Sequence, residues 1–94
     1  MTKEELLEKA NSLPLAPGVY LMHDKEGTVI YVGKAKRLKN RVSQYFQAGR
    51  GHNLKTQTMV KLVDTFDTIV VGSEFEALVL ENALIKQYMP RYNI

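Results

Sequence analysis

The fold is decided by residues 18–33, which read GVYLMHDKEGTVIYVG. Two runs rich in β-branched and aromatic residues, GVYLMH and TVIYV, flank the segment DKEG, whose residue types favour a turn. This pattern predicts a β-hairpin. If the loop has the four residues DKEG, His23 pairs with Thr28 and Tyr20 lies opposite Tyr31, so both tyrosine hydroxyls project from one face.

Helices are predicted on both sides of this hairpin. Residues 3–12 place apolar and charged residues at helical spacing, and Pro14 ends this first helix. After Gly33, apolar residues again recur at helical spacing. They predict a second helix with a buried stripe of Ala35, Leu38, Val42 and Phe46. Residues 47–53 contain two glycines and predict a loop.

The remaining sequence predicts a third helix over 54–66, a third strand over 68–71 and a fourth helix over 74–89. The third strand is apolar enough to be central in the sheet, and Pro90 ends the last helix. We therefore expect an α/β fold with a small, mainly antiparallel sheet of about three strands flanked by helices. A length of 94 residues leaves room for one domain, 1–94.

The composition excludes several classes of site. The chain has no Cys, which excludes disulfides, thiolate zinc sites and cysteine nucleophiles. The glycine signatures of phosphate loops and dinucleotide-binding folds are absent from the sequence. His23 and His52 are too far apart to indicate a metal cluster, and we expect His23 to be a surface residue. No apolar run approaches the roughly 20 residues of a membrane span, and no signal peptide is recognisable, so we expect a cytoplasmic protein without membrane contact.

Charge is distributed unevenly along the chain. Residues 27–63 contain eight of the thirteen Lys and Arg residues and no Asp or Glu, so their net charge is +8 while the other 57 residues sum to −5. This separation favours an anionic polymer as the partner, and the alternative is a solvated helix face that happens to be basic. The basic residues are Lys34, Lys36, Arg37, Lys39, Arg41, Arg50, Lys55 and Lys61.

Several short motifs follow one another in a specific order. Gly18-Val19-Tyr20 is followed, after ten residues, by Tyr31-Val32-Gly33, and eight residues later by Arg41. Glu76-Ala77-Leu78 then opens a predicted helix, and Pro90-Arg91-Tyr92-Asn93 stands near the C-terminus. This order resembles the GIY-YIG nuclease family, and most closely its branch in bacterial nucleotide excision repair. The resemblance covers residues from about 12 to 94 and implies a metal-dependent DNA endonuclease that hydrolyses a phosphodiester on the 3′ side of a lesion.

The resemblance also implies roles for particular residues. Glu76 would bind one divalent cation, Mg²⁺ or Mn²⁺, as its only protein ligand, which suits an ion that keeps several waters. Tyr31 would be the general base, and because its ordinary pKa is near 10, a cation close by, either the metal or Lys34, must favour the phenolate. Arg41 would stabilise charge on the phosphate.

The other motif positions would contact water, phosphate or DNA. Tyr20, Tyr45 and Asn93 would orient these groups; other branches of the family carry a histidine where this chain has Tyr45, so its role stays open. DNA would be bound by Lys34, Lys36, Arg37, Lys39 and Arg41, through the backbone and without base-specific contacts.

Each assignment has a structural alternative. Ser73-Glu74-Phe75-Glu76 is also a capping box, in which Glu76 accepts from the Ser73 amide and no metal is needed. Tyr20 and Tyr31 are equally an aromatic cross-strand pair, Arg41 an exposed helix residue, and Asn93 part of a disordered tail. Glu81 is interpreted as a structural residue paired with a basic helix residue.

Three functions remain open at this point: the excision-repair endonuclease, a DNA backbone-binding module of the same fold without catalysis, and a nuclease of the same family outside excision repair. For the first, we expect a monomeric domain that is a fragment of a longer chain. A damage-loading helicase subunit would dock on parts of the protein outside these 94 residues.

Overall fold

Over residues 1–49 and 51–94, which the computed structural model describes, helices flank one three-stranded antiparallel sheet of order β2-β1-β3. Arg50, which belongs to the predicted basic segment and loop, lies outside the described residues. The predicted α/β fold with a small antiparallel sheet is confirmed. The elements are α1 (Lys3–Asn11), β1 (Gly18–His23), β2 (Val29–Ala35), α2 (Leu38–Phe46), α3 (Leu54–Leu62), β3 (Thr65–Val70), α4 (Glu74–Tyr88) and a 3₁₀ helix (Arg91–Asn93).

The hairpin register differs from the expected one by two residues. Tyr31 lies opposite Met22, and Tyr20 lies opposite Gly33, because Ile30 bulges out of the pairing and the connecting loop is one residue longer than expected. Since side chains alternate with a period of two, a shift by two residues keeps the same face. The two tyrosines are therefore diagonal neighbours, with ring centroids 6.2 Å apart.

The third strand begins earlier than predicted and lies at an edge of the sheet, so the prediction of a central position is wrong. Among the described residues, β3 pairs only with β1, which is the central strand. Phe66, predicted on the third helix, is a fully buried residue of β3, whereas Leu62 closes α3 with 38% of its surface exposed. A large apolar residue such as Phe66 is expected to be buried whether it belongs to a helix or to a strand. Its apolar character therefore could not show which of the two it would join.

The second helix begins later than predicted, because β2 continues through Lys34 and Ala35. Helix α2 starts at Leu38, after Arg37 in extended conformation. The predicted stripe is nevertheless buried in full, with Ala35 contributed by the strand and three residues by the helix: Leu38, Val42 and Phe46. The strand extension places Lys34 at the end of β2, beside the beginning of α2.

Two apolar layers cover the faces of the sheet. On one face, residues from α1, α2 and α3 enclose Tyr20, Met22 and Phe66. On the other face, α4 packs on β2 and β1 and buries Val19 and Val32. None of the helices in 1–49 and 51–94 is long and apolar enough to cross a membrane.

Gly33 allows the ring of Tyr20 to lie directly against β2. A Cβ atom at position 33 would overlap both the ring and the hydroxyl of Tyr20. Tyr20 is only 2% exposed, yet its hydroxyl reaches the hydroxyl of Tyr45 on α2, 2.7 Å away. The glycine is thus required by a close approach of a side chain to the backbone.

We expect Gly33→Ala to lower the free energy of unfolding by about 1–3 kcal/mol, because the new methyl group displaces the Tyr20 ring from a packed position. Urea unfolding followed by circular dichroism measures this change. Gly51→Ala is the matched control, since a Cβ at Gly51 meets no atom within 4 Å. Equal stability of the two variants would contradict the packing role of Gly33.

Candidate active site

A basic groove of about 900 Å³ lies between α2, the end of β2 and the first turn of α4. From the sheet side, Pro17, Lys34 and Ala35 line it, and α4 contributes Ser73, Glu74 and Ala77. Four of the five predicted DNA-binding residues line this groove: Lys34, Lys36, Arg37 and Arg41. Lys39, the fifth, is half-buried and lines neither this groove nor a smaller second cavity that shares Arg41 and Gln44 with it.

Three tyrosines form a cluster beside the groove. Tyr20 from β1, Tyr31 from β2 and Tyr45 from α2 lie together, with ring centroids of Tyr20 and Tyr45 5.7 Å apart. The predicted aromatic contact between Tyr20 and Tyr31 is present, although they are not directly opposite. Arg41 is close enough to both of these tyrosines for its charge to lower their pKa values. The structure thus brings four of the predicted site residues together.

Two of the three tyrosines, Tyr20 and Tyr31, have a raised pKa that keeps their hydroxyls protonated. Burial raises the pKa of Tyr31 to about 12, and Tyr45 and the charge of Glu81 act in the same direction, while Arg41 opposes them. Burial also raises the pKa of Tyr20 well above its usual value, and the hydrogen-bonded Tyr45 adds to this shift. Among the groups of the chain, Arg41 is the positive charge that acts on Tyr31, whereas the sequence had pointed to either the metal or Lys34.

Glu76 lies in the first turn of α4 and is exposed. Its backbone N–H donates to the Ser73 hydroxyl at 3.2 Å, which is one half of the predicted capping box. The other half is missing, because the Glu76 carboxylate accepts from the Gly72 amide at 3.2 Å instead of from Ser73. Among the described residues, no cation lies within salt-bridge distance of this carboxylate.

The chemistry of this carboxylate fits a divalent cation with few protein ligands. Over 1–49 and 51–94, no three His, Cys, Asp or Glu residues cluster in a way that could hold a metal. Magnesium commonly keeps several waters and takes one or two carboxylates. Glu76, exposed and held by a single hydrogen bond, meets this requirement.

Asn93 lies at the outer edge of β2, so the alternative of a disordered tail is wrong. Its side-chain oxygen accepts from the Val32 amide at 2.9 Å, and its side-chain nitrogen donates to the Val32 carbonyl at 2.8 Å. These two bonds replace those of a neighbouring strand. The amide therefore holds the strand that carries Tyr31, and it does not line the groove.

Glu81 differs from its sequence-based interpretation, and two histidines make contacts that the sequence did not indicate. Glu81 forms no ion pair with a basic residue in the described part of the chain, and its charge acts on Tyr31. His52 stacks on Tyr45, with ring centroids 5.9 Å apart and an interplanar angle of 18°. His23, expected on the surface, binds Asp67 at 2.9 Å and so links β1 to β3. The contacts of Glu81 and His23 join distant parts of the sequence, and no local pattern indicated any of the three.

Because the pKa of Tyr31 is raised, the free energy of unfolding is expected to depend on pH in the alkaline range. Because the folded-state pKa is about 12 and the ordinary value 10.0, folding favours the protonated hydroxyl. The stability that the protonated hydroxyl contributes is fully present at pH values below the ordinary pKa of 10.0. It is lost as the pH rises towards the folded-state pKa of about 12. We therefore expect Tyr31→Phe, in EDTA, to lose less stability across that interval than the unsubstituted chain, as measured by urea unfolding. An identical pH dependence for both proteins would contradict the shift.

Several known proteins resemble this chain in sequence and in fold. The family model described as "UvrC-like GIY-YIG domain" matches residues 16–94. The UvrABC system protein C of Clostridium kluyveri is 63% identical over 82 residues, which are 87% of this chain and 13% of that protein. The corresponding protein of Desulforapulum autotrophicum is 54% identical over 89 residues, 95% of this chain and 15% of that protein. The chain thus spans about 15% of the length of these relatives.

A solved structure extends this likeness to three dimensions. The GIY-YIG N-terminal endonuclease domain of UvrC from Thermotoga maritima, bound to its catalytic divalent cation magnesium, superposes with a TM-score of 0.86 and 42% identity. The match covers 99% of this chain and all of that domain. A point mutant of the same domain with an asparagine replaced by alanine, also bound to its catalytic divalent cation, has a TM-score of 0.86 and 41% identity, covering 99% of each chain. The chain therefore belongs to the UvrC-like branch of the GIY-YIG domain family.

Proposed function

We propose that this chain is a divalent-metal-dependent DNA endonuclease domain that hydrolyses a phosphodiester during nucleotide excision repair. The observation that carries the proposal is the Glu76 carboxylate, which is exposed and has no cation partner among the described residues. Glu76 does not line the groove itself, but it lies in the same turn of α4 as Glu74 and Ala77, which line the groove together with Lys34 and Arg41. Phosphodiester hydrolysis needs positive charge around the phosphate and a group that accepts a proton from water. The groove and the tyrosine cluster supply candidates for both.

Arg41 and Lys34 bind the non-bridging oxygens of the phosphate. The planar guanidinium of Arg41 suits two parallel hydrogen bonds, and Lys34 adds a point charge at the end of β2. Lys36 and Arg37 hold the backbone of the DNA farther along the groove. Because Lys39 lines neither cavity, its role is limited to the surrounding positive field.

Tyr31 accepts the proton of the attacking water. The groups of the chain alone leave its hydroxyl protonated near neutral pH, since burial, Tyr45 and Glu81 outweigh Arg41. A divalent ion on Glu76, Mg²⁺ or Mn²⁺, would supply the additional positive charge and stabilise the leaving oxygen. Tyr20 and Tyr45 keep the Tyr31 ring in place through their contacts, and Asn93 does so through the backbone of β2.

The relatives support a proposal for the wider role. We propose that residues 1–94 form one endonuclease domain of a longer bacterial protein and make the incision on the 3′ side of a lesion. A UvrB-like damage-loading helicase subunit docks on other parts of that protein, and the reaction takes place in the cytoplasm. The domain itself acts as a monomer on damaged duplex DNA through backbone contacts.

A second function, a DNA-binding module without catalysis, is favoured by one observation. The groove is basic, whereas the proposed base has its pKa raised to about 12. Both functions predict that affinity falls with salt, by about 0.9 log units per log unit of salt for each phosphate neutralised on duplex DNA. Metal dependence is expected only of the endonuclease.

Replacing Glu76 by Gln tests the metal site. We expect Mn²⁺ to broaden the amide signals of residues 72–77 in the unsubstituted chain and to lose this effect in Glu76→Gln. The variant keeps an oxygen that accepts from Gly72, so its free energy of unfolding should change by less than about 0.5 kcal/mol. Glu74→Gln, in the same turn, is the matched control and should retain the broadening. Broadening that survives in Glu76→Gln would refute the assignment of this ligand.

Replacing Tyr31 by Phe tests the base. We expect the rate of cleavage of damaged duplex DNA, in the full-length protein with its partners, to fall about 100- to 10,000-fold, because general base catalysis is lost. Tyr88→Phe removes an exposed hydroxyl at the end of α4 and should leave the rate unchanged. Near-normal cleavage by Tyr31→Phe would exclude Tyr31 as the base. Intact DNA binding without any metal-dependent cleavage by the unsubstituted protein would favour the binding module.

A further inference from the structure

A second cavity, of about 400 Å³, lies next to the basic groove. α2 contributes Arg41, Gln44 and Tyr45, and the segment after α2 together with α3 contributes Gly49, Gly51, His52 and Thr56. Arg41 and Gln44 line both the groove and the second cavity, so the two spaces adjoin at these side chains. A polymer bound in the groove can therefore continue past Arg41 into the second cavity.

The lining of the second cavity consists of hydrogen-bond donors without an opposing negative charge. No Asp or Glu lies among its described lining residues. Within the described part of the chain, the Arg41 guanidinium and the Gln44 amide make no hydrogen bond or salt bridge, and the Thr56 hydroxyl makes none. Three polar groups of this kind around one space suit an anion, and a phosphodiester in particular.

The wall of this cavity is fixed from two directions. His52 stacks on Tyr45, and its Nε2 atom lies 3.2 Å from the Gln44 carbonyl oxygen. On the α3 side, the Asn53 side chain accepts from the Thr56 amide at 2.8 Å, which holds the beginning of α3 in place. The cavity is thus connected to the tyrosine cluster through Tyr45.

We propose that the second cavity binds the phosphodiester next to the scissile one on the cut strand, with Thr56 and Gln44 as ligands and Arg41 shared between the two phosphates. This inference rests on the proposed function, because it takes the groove as the place of the scissile phosphate. According to this proposal, α3 also binds the substrate, in addition to the basic residues of β2 and α2.

A carboxylate placed in the cavity tests the proposal. Thr56→Glu puts a negative charge at the third residue of α3, where helices tolerate glutamate well, so the fold should be retained. Thr58→Glu makes the same change in charge on the exposed side of the same helix and is the matched control. Binding is measured by fluorescence anisotropy with a short fluorescein-labelled DNA duplex at low salt, and folding by thermal melts.

We expect Thr56→Glu to bind about tenfold more weakly than Thr58→Glu, because a carboxylate facing a phosphate is repelled at short range. If Thr56→Glu melts early, the isosteric pair Thr56→Val and Thr58→Val replaces it, with a loss of about two- to tenfold expected for Thr56→Val only. Equal affinity within each pair, while the unsubstituted chain binds DNA, overturns the subsite and leaves the proposed function standing. No DNA binding by the unsubstituted chain overturns both.

Discussion

The contact between the Tyr20 ring and the backbone of Gly33 is the constraint on which the site depends. It occurs because the hairpin register is shifted by a bulge at Ile30, which places the glycine, not Tyr31, opposite Tyr20. Tyr20 then fills the core while its hydroxyl meets Tyr45, and the ring of Tyr45 is in turn covered by His52. One backbone position without a side chain therefore sets the distance between the sheet, α2 and the segment before α3.

The parts of the fold that depend on local patterns could be predicted from the sequence. The bounds of β1 match the prediction, and α4 begins at the predicted residue, because turn residues, Ser73 as N-cap and Pro90 mark them. The register and the end of the third helix could not be predicted. A bulge changes the pairing without changing which face a side chain takes, and Phe66 suits a buried position in helix or strand.

The sequence named candidate site residues, but it did not indicate their contacts. The motif order identified Tyr31, Arg41 and Glu76, and the structure brings Arg41 to the tyrosines. The influence of Glu81 on Tyr31 and the capping of the β2 edge by Asn93 depend on packing between elements far apart in the chain. Spacing along a sequence carries no information on such pairs until the register and the helix positions are known.

The two hydrogen bonds between Asn93 and Val32 join residues 61 positions apart, so they also bear on the order of folding. A contact with this sequence separation forms late, because its loop-closure entropy is large compared with that of the hairpin. Until it forms, β2 exposes an unpaired edge with Val29, Ile30 and Val32, a pattern prone to pairing with other chains. Asn93 thus covers the Val32 position of this edge, and the cover begins only when the two distant segments have met.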